Sequence, residues 1–170
     1  MGRGGIRPLE FKTFSKEMQN AITNYCQAGG NFFVSGAYVA SDLWDNRLVK
    51  ANEEDKKFAM EVLKYKWRVG QAARNGKVKS VASPFPEITG SYTYYQDLNP
   101  ESYVVESPDA LEPAAQGAFT ILRYSENNLS AGIAYKGNYK TCVLGFPFEA
   151  IRTVTERELL MKAILTFFEH

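Results

Sequence analysis

One histidine, two cysteines and almost no net charge set the first limits on this 170-residue chain. The histidine is His170, the last residue, so a Ser-His or Cys-His catalytic pair finds no partner within the body of the sequence. One histidine with two distant cysteines, Cys26 and Cys142, falls short of a four-ligand zinc site, and no metal is expected. Twenty basic against nineteen acidic residues leave a formal charge of +1, which argues against a nucleic-acid partner held by phosphate neutralisation. No run of apolar residues approaches 18, so no membrane span is expected. The opening Met1-Gly2-Arg3-Gly4-Gly5-Ile6-Arg7-Pro8 has no apolar core of a signal peptide, and Ile6 breaks the myristoylation pattern. Gly29-Gly30 lacks the Lys-Ser/Thr of a phosphate loop and there is no G-x-G-x-x-G, so no cofactor is expected.

What is present reads as one domain over residues 15–170, preceded by a flexible lead-in over 1–14. Met18, Ile22, Tyr25 and Cys26 recur at helical spacing behind a Ser15 cap, and Gly29-Gly30 ends that helix. Asn31–Ser35 is a short continuous apolar run, as in strands buried on both faces of a parallel sheet. A sharp turn at Gly36-Ala37-Tyr38 leads to a helix starting within Val39–Trp44. A further helix is expected over Glu53–Lys64, with acids in its first turn. Trp67–Ala72 and Lys77–Val81 read as two strands of a hairpin around Asn75-Gly76, with the Lys77 and Lys79 side of the second strand facing solvent. Further strands are expected at Ser91–Tyr95, Ala118–Tyr124, Ala131–Tyr135 and Thr141–Phe146, with a loop over 97–113. Thr155 and Glu158 form a capping box for a closing helix to Phe168. The pattern predicts an α/β fold with a parallel core and antiparallel additions.

Two segments resemble class I glutamine amidotransferase-like domains. Gly30-Asn31-Phe32-Phe33-Val34-Ser35-Gly36 matches the strand and turn that present the family's nucleophile, and Gly145-Phe146-Pro147-Phe148-Glu149-Ala150-Ile151 matches its late strand and loop. The resemblance implies a flavodoxin-like three-layer sandwich with a mostly parallel central sheet. It also places Ala37 at the cysteine position, Glu149 at the histidine position and Ile151 at the glutamate position. All three catalytic groups are lost together, so no cysteine-dependent chemistry is expected. The family fold begins with a strand–helix–strand unit that 1–14 cannot supply, which implies the latter portion of such a domain or of a larger protein. The same pattern is similar to modules of multidomain Bacteroidetes proteins often labelled xanthan lyase. It implies a carbohydrate-related setting, other domains as partners and a secreted or periplasmic location in preference to a cytoplasmic one.

Ligands of doubly wound sheets sit at the carboxyl ends of the strands. There the sequence offers Ser35, Tyr38, Ser41, Asp42, Glu149 and Arg152 as a candidate pocket for a carbohydrate. The structural alternative pairs Glu149 with Arg152 or Arg157 and has Asp42 capping a helix. The leading expectation is a non-catalytic module for ligand binding or interaction. A polysaccharide lyase or hydrolase working through Tyr38 and Glu149 is the second reading. A structural or oligomerising domain that exposes a sheet edge is the third. Tyr92, Tyr94, Tyr95, Tyr103, Tyr124, Tyr135 and Tyr139, with Trp44 and Trp67, are read as sheet packing with hydroxyls at the rim, with a sugar-stacking platform as the alternative.

Overall fold

The computed structural model describes residues 12–44 and 51–170. Most of the expected flexible lead-in, residues 1–11, lies outside the described residues, but Phe14 is buried and its ring packs 5.5 Å from that of Phe58. The first helix, α1 (Lys16–Gln27), forms where the spacing predicts it, and the Ser15 hydroxyl accepts from Met18 N at 3.3 Å. Strand β1 (Phe32–Ser35) follows. The helix expected within Val39–Trp44 shrinks to one tight 3₁₀ turn over Ser41–Leu43. Helix α2 (Glu53–Phe58) opens on a capping box in which Asn52 and Asp55 exchange hydrogen bonds, then widens into a π turn over Ala59–Leu63. Seven strands come next: β2 (Tyr65–Val69), β3 (Lys77–Ser80), β4 (Ser91–Thr93), β5 (Ala110–Pro113), β6 (Ala118–Tyr124), β7 (Ser130–Lys136) and β8 (Lys140–Leu144). Helix α3 (Val154–Glu169) follows, capped by Thr153, two residues before the expected Thr155; the Thr153 hydroxyl accepts from Glu156 N and donates to Glu156 Oε2, without the return bond to the cap's backbone N–H that a capping box makes.

The strands form a six-stranded sheet in the order β1-β8-β7-β6-β3-β4 and a separate pair, β2-β5. This corrects the flavodoxin-like expectation. Within the main sheet only β1 and β8 run parallel; the other four neighbouring pairs are antiparallel. The reason is in the connections. Three residues at Gly137–Tyr139 join β7 to β8, and five at 125–129 join β6 to β7. Links this short can only reverse the chain, whereas a parallel pair needs a crossover of a dozen residues or more. The fold is therefore a mixed, mainly antiparallel sheet with few helices, and no flavodoxin-like parallel sandwich.

The Asn75-Gly76 turn does not join a hairpin. Strand β2 leaves to pair with β5, and β3 pairs with β4 and β6. Gly76 is nonetheless held at φ +62°, and a Cβ there would lie 2.4 Å from the Tyr94 carbonyl oxygen, so this tight approach needs glycine. Strand β5 lies inside the expected 97–113 loop; its Ala-Leu-Glu-Pro sequence carries no β-branched residue.

Two apolar cores flank the main sheet. On one face Cys142, Leu144 and Ala134 pack with Leu160, Ile164 and Phe167 of α3. On the other, Val143 and Ile133 pack with Ile22 and Cys26 of α1, Phe58 of α2, and Tyr65 and Leu111 of the β2-β5 pair. The two cysteines are free and buried in opposite cores. Tyr92 and Tyr94 are buried, and Tyr94 stacks on Phe146 at 5.0 Å, so they serve packing and form no sugar platform.

Candidate functional site

The parallel pair β1-β8 ends at Ser35 and Leu144, and both chains turn sharply there. Ser35 hydrogen-bonds through its hydroxyl, which accepts from Phe148 N at 3.1 Å, so it ties the two turns together. The turn after β1 carries its strain on Tyr38, at φ +65°, and not on Ala37. A non-glycine residue in this region costs on the order of 1–2 kcal/mol. Tyr38 is nevertheless 37% exposed, so burial of its ring does not explain the conformation.

What holds the turn is Asp109, a residue the sequence reading passed over. Asp109 is fully buried just ahead of β5. Its Oδ2 accepts from Ala40 N at 2.8 Å, Ser41 N at 3.0 Å and Ser41 Oγ at 3.3 Å, and its Oδ1 accepts from Trp67 Nε1 at 3.0 Å. Its own N–H donates to Gly145 O at 2.7 Å, and its carbonyl accepts from Tyr124 OH at 2.7 Å. One residue thus joins four segments: its carboxylate ties the β1 turn to β2, and its backbone ties to β6 and the end of β8. Burial pushes its pKa up to about 6, against the four donors that favour the ionised form. Gly145 is required here, because a Cβ would stand 2.0 Å from the Asp109 carbonyl oxygen. The signal in the sequence was weak: a lone aspartate in a loop-like stretch with no motif around it.

The six predicted site residues separate. Ser41 is buried on Asp109. Asp42 accepts from the backbone N–H of Thr13 at 2.7 Å and from its hydroxyl, and lines neither of the two clefts found at this end of the sheet. Ile151 is fully buried and bridges to Tyr94. Ala37 and Tyr38 line a cleft of about 300 Å³ together with Gly36, Tyr103, Val104, Val105, Glu106 and Pro147. Glu149 and Arg152 line a neighbouring one of about 430 Å³ with Tyr95, Glu101, Ser102, Phe148 and Arg157. The side chain between the two is Tyr103, whose hydroxyl donates to Glu149 Oε1 at 2.6 Å. Glu149 is therefore paired with a tyrosine and with neither expected arginine. Arg152 instead pairs with Asp97 and stacks over the Tyr95 ring at 5.0 Å, and Arg157 bonds the Ile151 carbonyl.

Burial and the Glu149 carboxylate hold the Tyr103 phenol above its ordinary pKa. It stays protonated as a donor and is unsuited to act as a base near neutral pH. Among the described residues no three His, Cys, Asp or Glu side chains cluster as metal ligands, and no helix is long and apolar enough to cross a membrane. The geometry offers two aromatic rings at a strand-end cleft, a carboxylate fixed on one of them, and polar groups at the rim.

No family model and no curated protein matches the chain. Among solved structures, it is similar to a β-galactosidase from Rahnella sp. R3, with 13% identity and a TM-score of 0.58. That match covers 91% of this chain and 21% of the galactosidase. It is also similar to an exo-β-1,4-mannosidase from Opitutaceae bacterium strain TAV5, with 9% identity and a TM-score of 0.50, covering 93% of this chain and 23% of the mannosidase. At these identities the likeness is one of fold. The chain spans between a fifth and a quarter of the length of the glycosidases it matches.

Proposed function

We propose that the chain is a non-catalytic, carbohydrate-binding module of a larger carbohydrate-active protein, holding a sugar ring between Tyr38 and Tyr103. The observation that carries this reading is the exposed Tyr38 ring kept in a strained backbone conformation beside a Tyr103 hydroxyl fixed by Glu149. Strain retained at an exposed residue marks a position whose use lies outside stability. Tyrosine faces stack on the C–H faces of sugars, and Glu149 and Glu106 at the rim can accept their hydroxyls. The glycosidase neighbours support the setting. The alignment with a fifth to a quarter of each glycosidase is in keeping with a module of a larger carbohydrate-active protein.

The lyase or hydrolase reading through Tyr38 and Glu149 has less support: the two side chains line separate clefts, and the Glu149 carboxylate is engaged by the Tyr103 hydroxyl. Calorimetric titration with β-galacto- and β-manno-oligosaccharides tests the proposal. Binding is expected in wild type, is lost in Tyr103→Ala and persists in Asp42→Asn, with no new reducing ends released. Saccharide turnover that disappears in Glu149→Gln would overturn the non-catalytic reading.

A further inference from the structure

The β2-β5 pair covers the main sheet only in part. Strand β5 packs over β7, where Ile133 meets Leu111 in the core. Past the edge of β5 the same side of the sheet opens into a groove of about 600 Å³, twice the size of the Tyr38 cleft. Its floor includes Thr120, Arg123 and Ser130, one wall carries Arg68 and Glu112, and the 125–129 turn closes the other. The lining places two guanidinium groups against one carboxylate. Lys79, exposed on β3, sits opposite Arg123 in the strand register and extends the positive charge. This is the solvent-facing lysine side read from Lys77-Val78-Lys79, now given a neighbour.

Both arginines are held but not used up. Arg123 donates through Nη1 to Asn128 O at 2.7 Å, and Arg68 donates through Nη1 to Glu112. A guanidinium has five N–H donors in a rigid fork, so each keeps donors free for an incoming group. A fork fixed at one end is pre-organised for a planar carboxylate, which it meets with two parallel bonds. Thr120 and Asn128 add neutral donors and acceptors of the kind that hydroxyls need.

We propose that this groove is a second ligand site, for an acidic oligosaccharide whose uronate carboxylate is taken by Arg123 and Arg68. The positive groove stands on its own geometry; the choice of a sugar acid rests on the carbohydrate reading above. The test is calorimetric titration at fixed ionic strength with a galacturonate trimer, the matching neutral galactose trimer and inorganic phosphate. The acidic trimer is expected to bind at least tenfold more tightly than phosphate. Its affinity should fall at least tenfold in Arg123→Gln and in Arg123→Lys, which keeps the charge but loses the fork. Arg68→Gln leaves the 125–129 turn untouched, so it is the control against a folding defect in Arg123 variants, and the same direction of loss is expected there. Two results overturn the proposal: an acidic trimer held no better than phosphate, or one whose binding ignores both arginines. Neutral sugar binding at Tyr103 is a separate readout. Its absence, with arginine-dependent uronate binding intact, removes the Tyr38 cleft and leaves this groove standing.

Discussion

Asp109→Asn should become less harmful as pH rises, to the point of matching or exceeding wild type near neutrality. The ordinary carboxyl value is 3.8 and burial pushes that of Asp109 to about 6. The native state then holds this proton more tightly than the unfolded chain. Between about pH 4 and pH 6 the native state binds more protons, so stability falls as pH rises through that window. The contribution is complete below about pH 4 and lost above about pH 6. Two pKa units correspond to roughly 3 kcal/mol, an order-of-magnitude figure. Asparagine has nothing to titrate. It can keep an oxygen towards Ala40 and Ser41, but sets an NH₂ against the Trp67 indole N–H, a mismatch of about 1–3 kcal/mol. Urea denaturation of both proteins at pH 4.5 and 7.5 reads the difference, and other titrating groups cancel in it. The variant should be weaker by about 1–3 kcal/mol at pH 4.5 and level or ahead at pH 7.5. Asp109→Ala removes the acceptor from Ala40 N, Ser41 N and Trp67 Nε1 and should lose about 3–5 kcal/mol at pH 4.5, and less at pH 7.5 by the same increment as the Asn variant, because it too has nothing to titrate. A wild-type-minus-Asn difference that stays constant with pH would refute the reasoning, because Asp109 would then be ionised throughout.

Three further outcomes follow from local geometry. Gly145→Ala should fail to reach the native fold or lose more than about 3 kcal/mol by thermal unfolding, because its Cβ meets backbone and not a flexible side chain. Asp55, almost fully buried, accepts from Lys12 at 2.8 Å and Gln19 at 2.7 Å; burial alone would raise its pKa, but these partners and the Asn52 N–H outweigh it and lower it. Its stabilisation is therefore present above the unfolded value and lost as pH falls below it, and Asp55→Ala should cost about 3 kcal/mol at pH 7 in a urea titration. Both thiols are buried and raised in pKa, so a thiol reagent should label Cys26 and Cys142 only as fast as the protein opens.

Periodic segments were legible in the sequence, and pairings were not. Helices α1 and α3 and the strands β6 to β8 announce themselves by spacing of three to four or of two, and β1 by a continuous apolar run. The sheet's direction was not legible, because Phe32-Phe33-Val34, an apolar run, has the pattern of a strand in a parallel core. One parallel pair suffices to bury such a run when helices pack on both faces. The β2-β5 pair joins strands 40 residues apart, and no local signal reports a contact at that range. The site was half visible. The turn after β1 was found, and with it Tyr38. Tyr103 and Asp109, from the 97–113 stretch, came to it through long-range folding, and Asp42 and Ser41 proved to hold structure.

The most direct test of the account is an NMR titration of the isotope-labelled chain with a neutral β-linked oligosaccharide, run on wild type and on Tyr38→Gly. Glycine accepts φ +65° without strain, so the variant should stay within about 1 kcal/mol of wild-type stability. The account predicts wild-type amide shifts confined to Gly36–Tyr38 and Tyr103–Glu106, and none in Tyr38→Gly. Shifts scattered over the surface, or unchanged when the Tyr38 ring is gone, would contradict it.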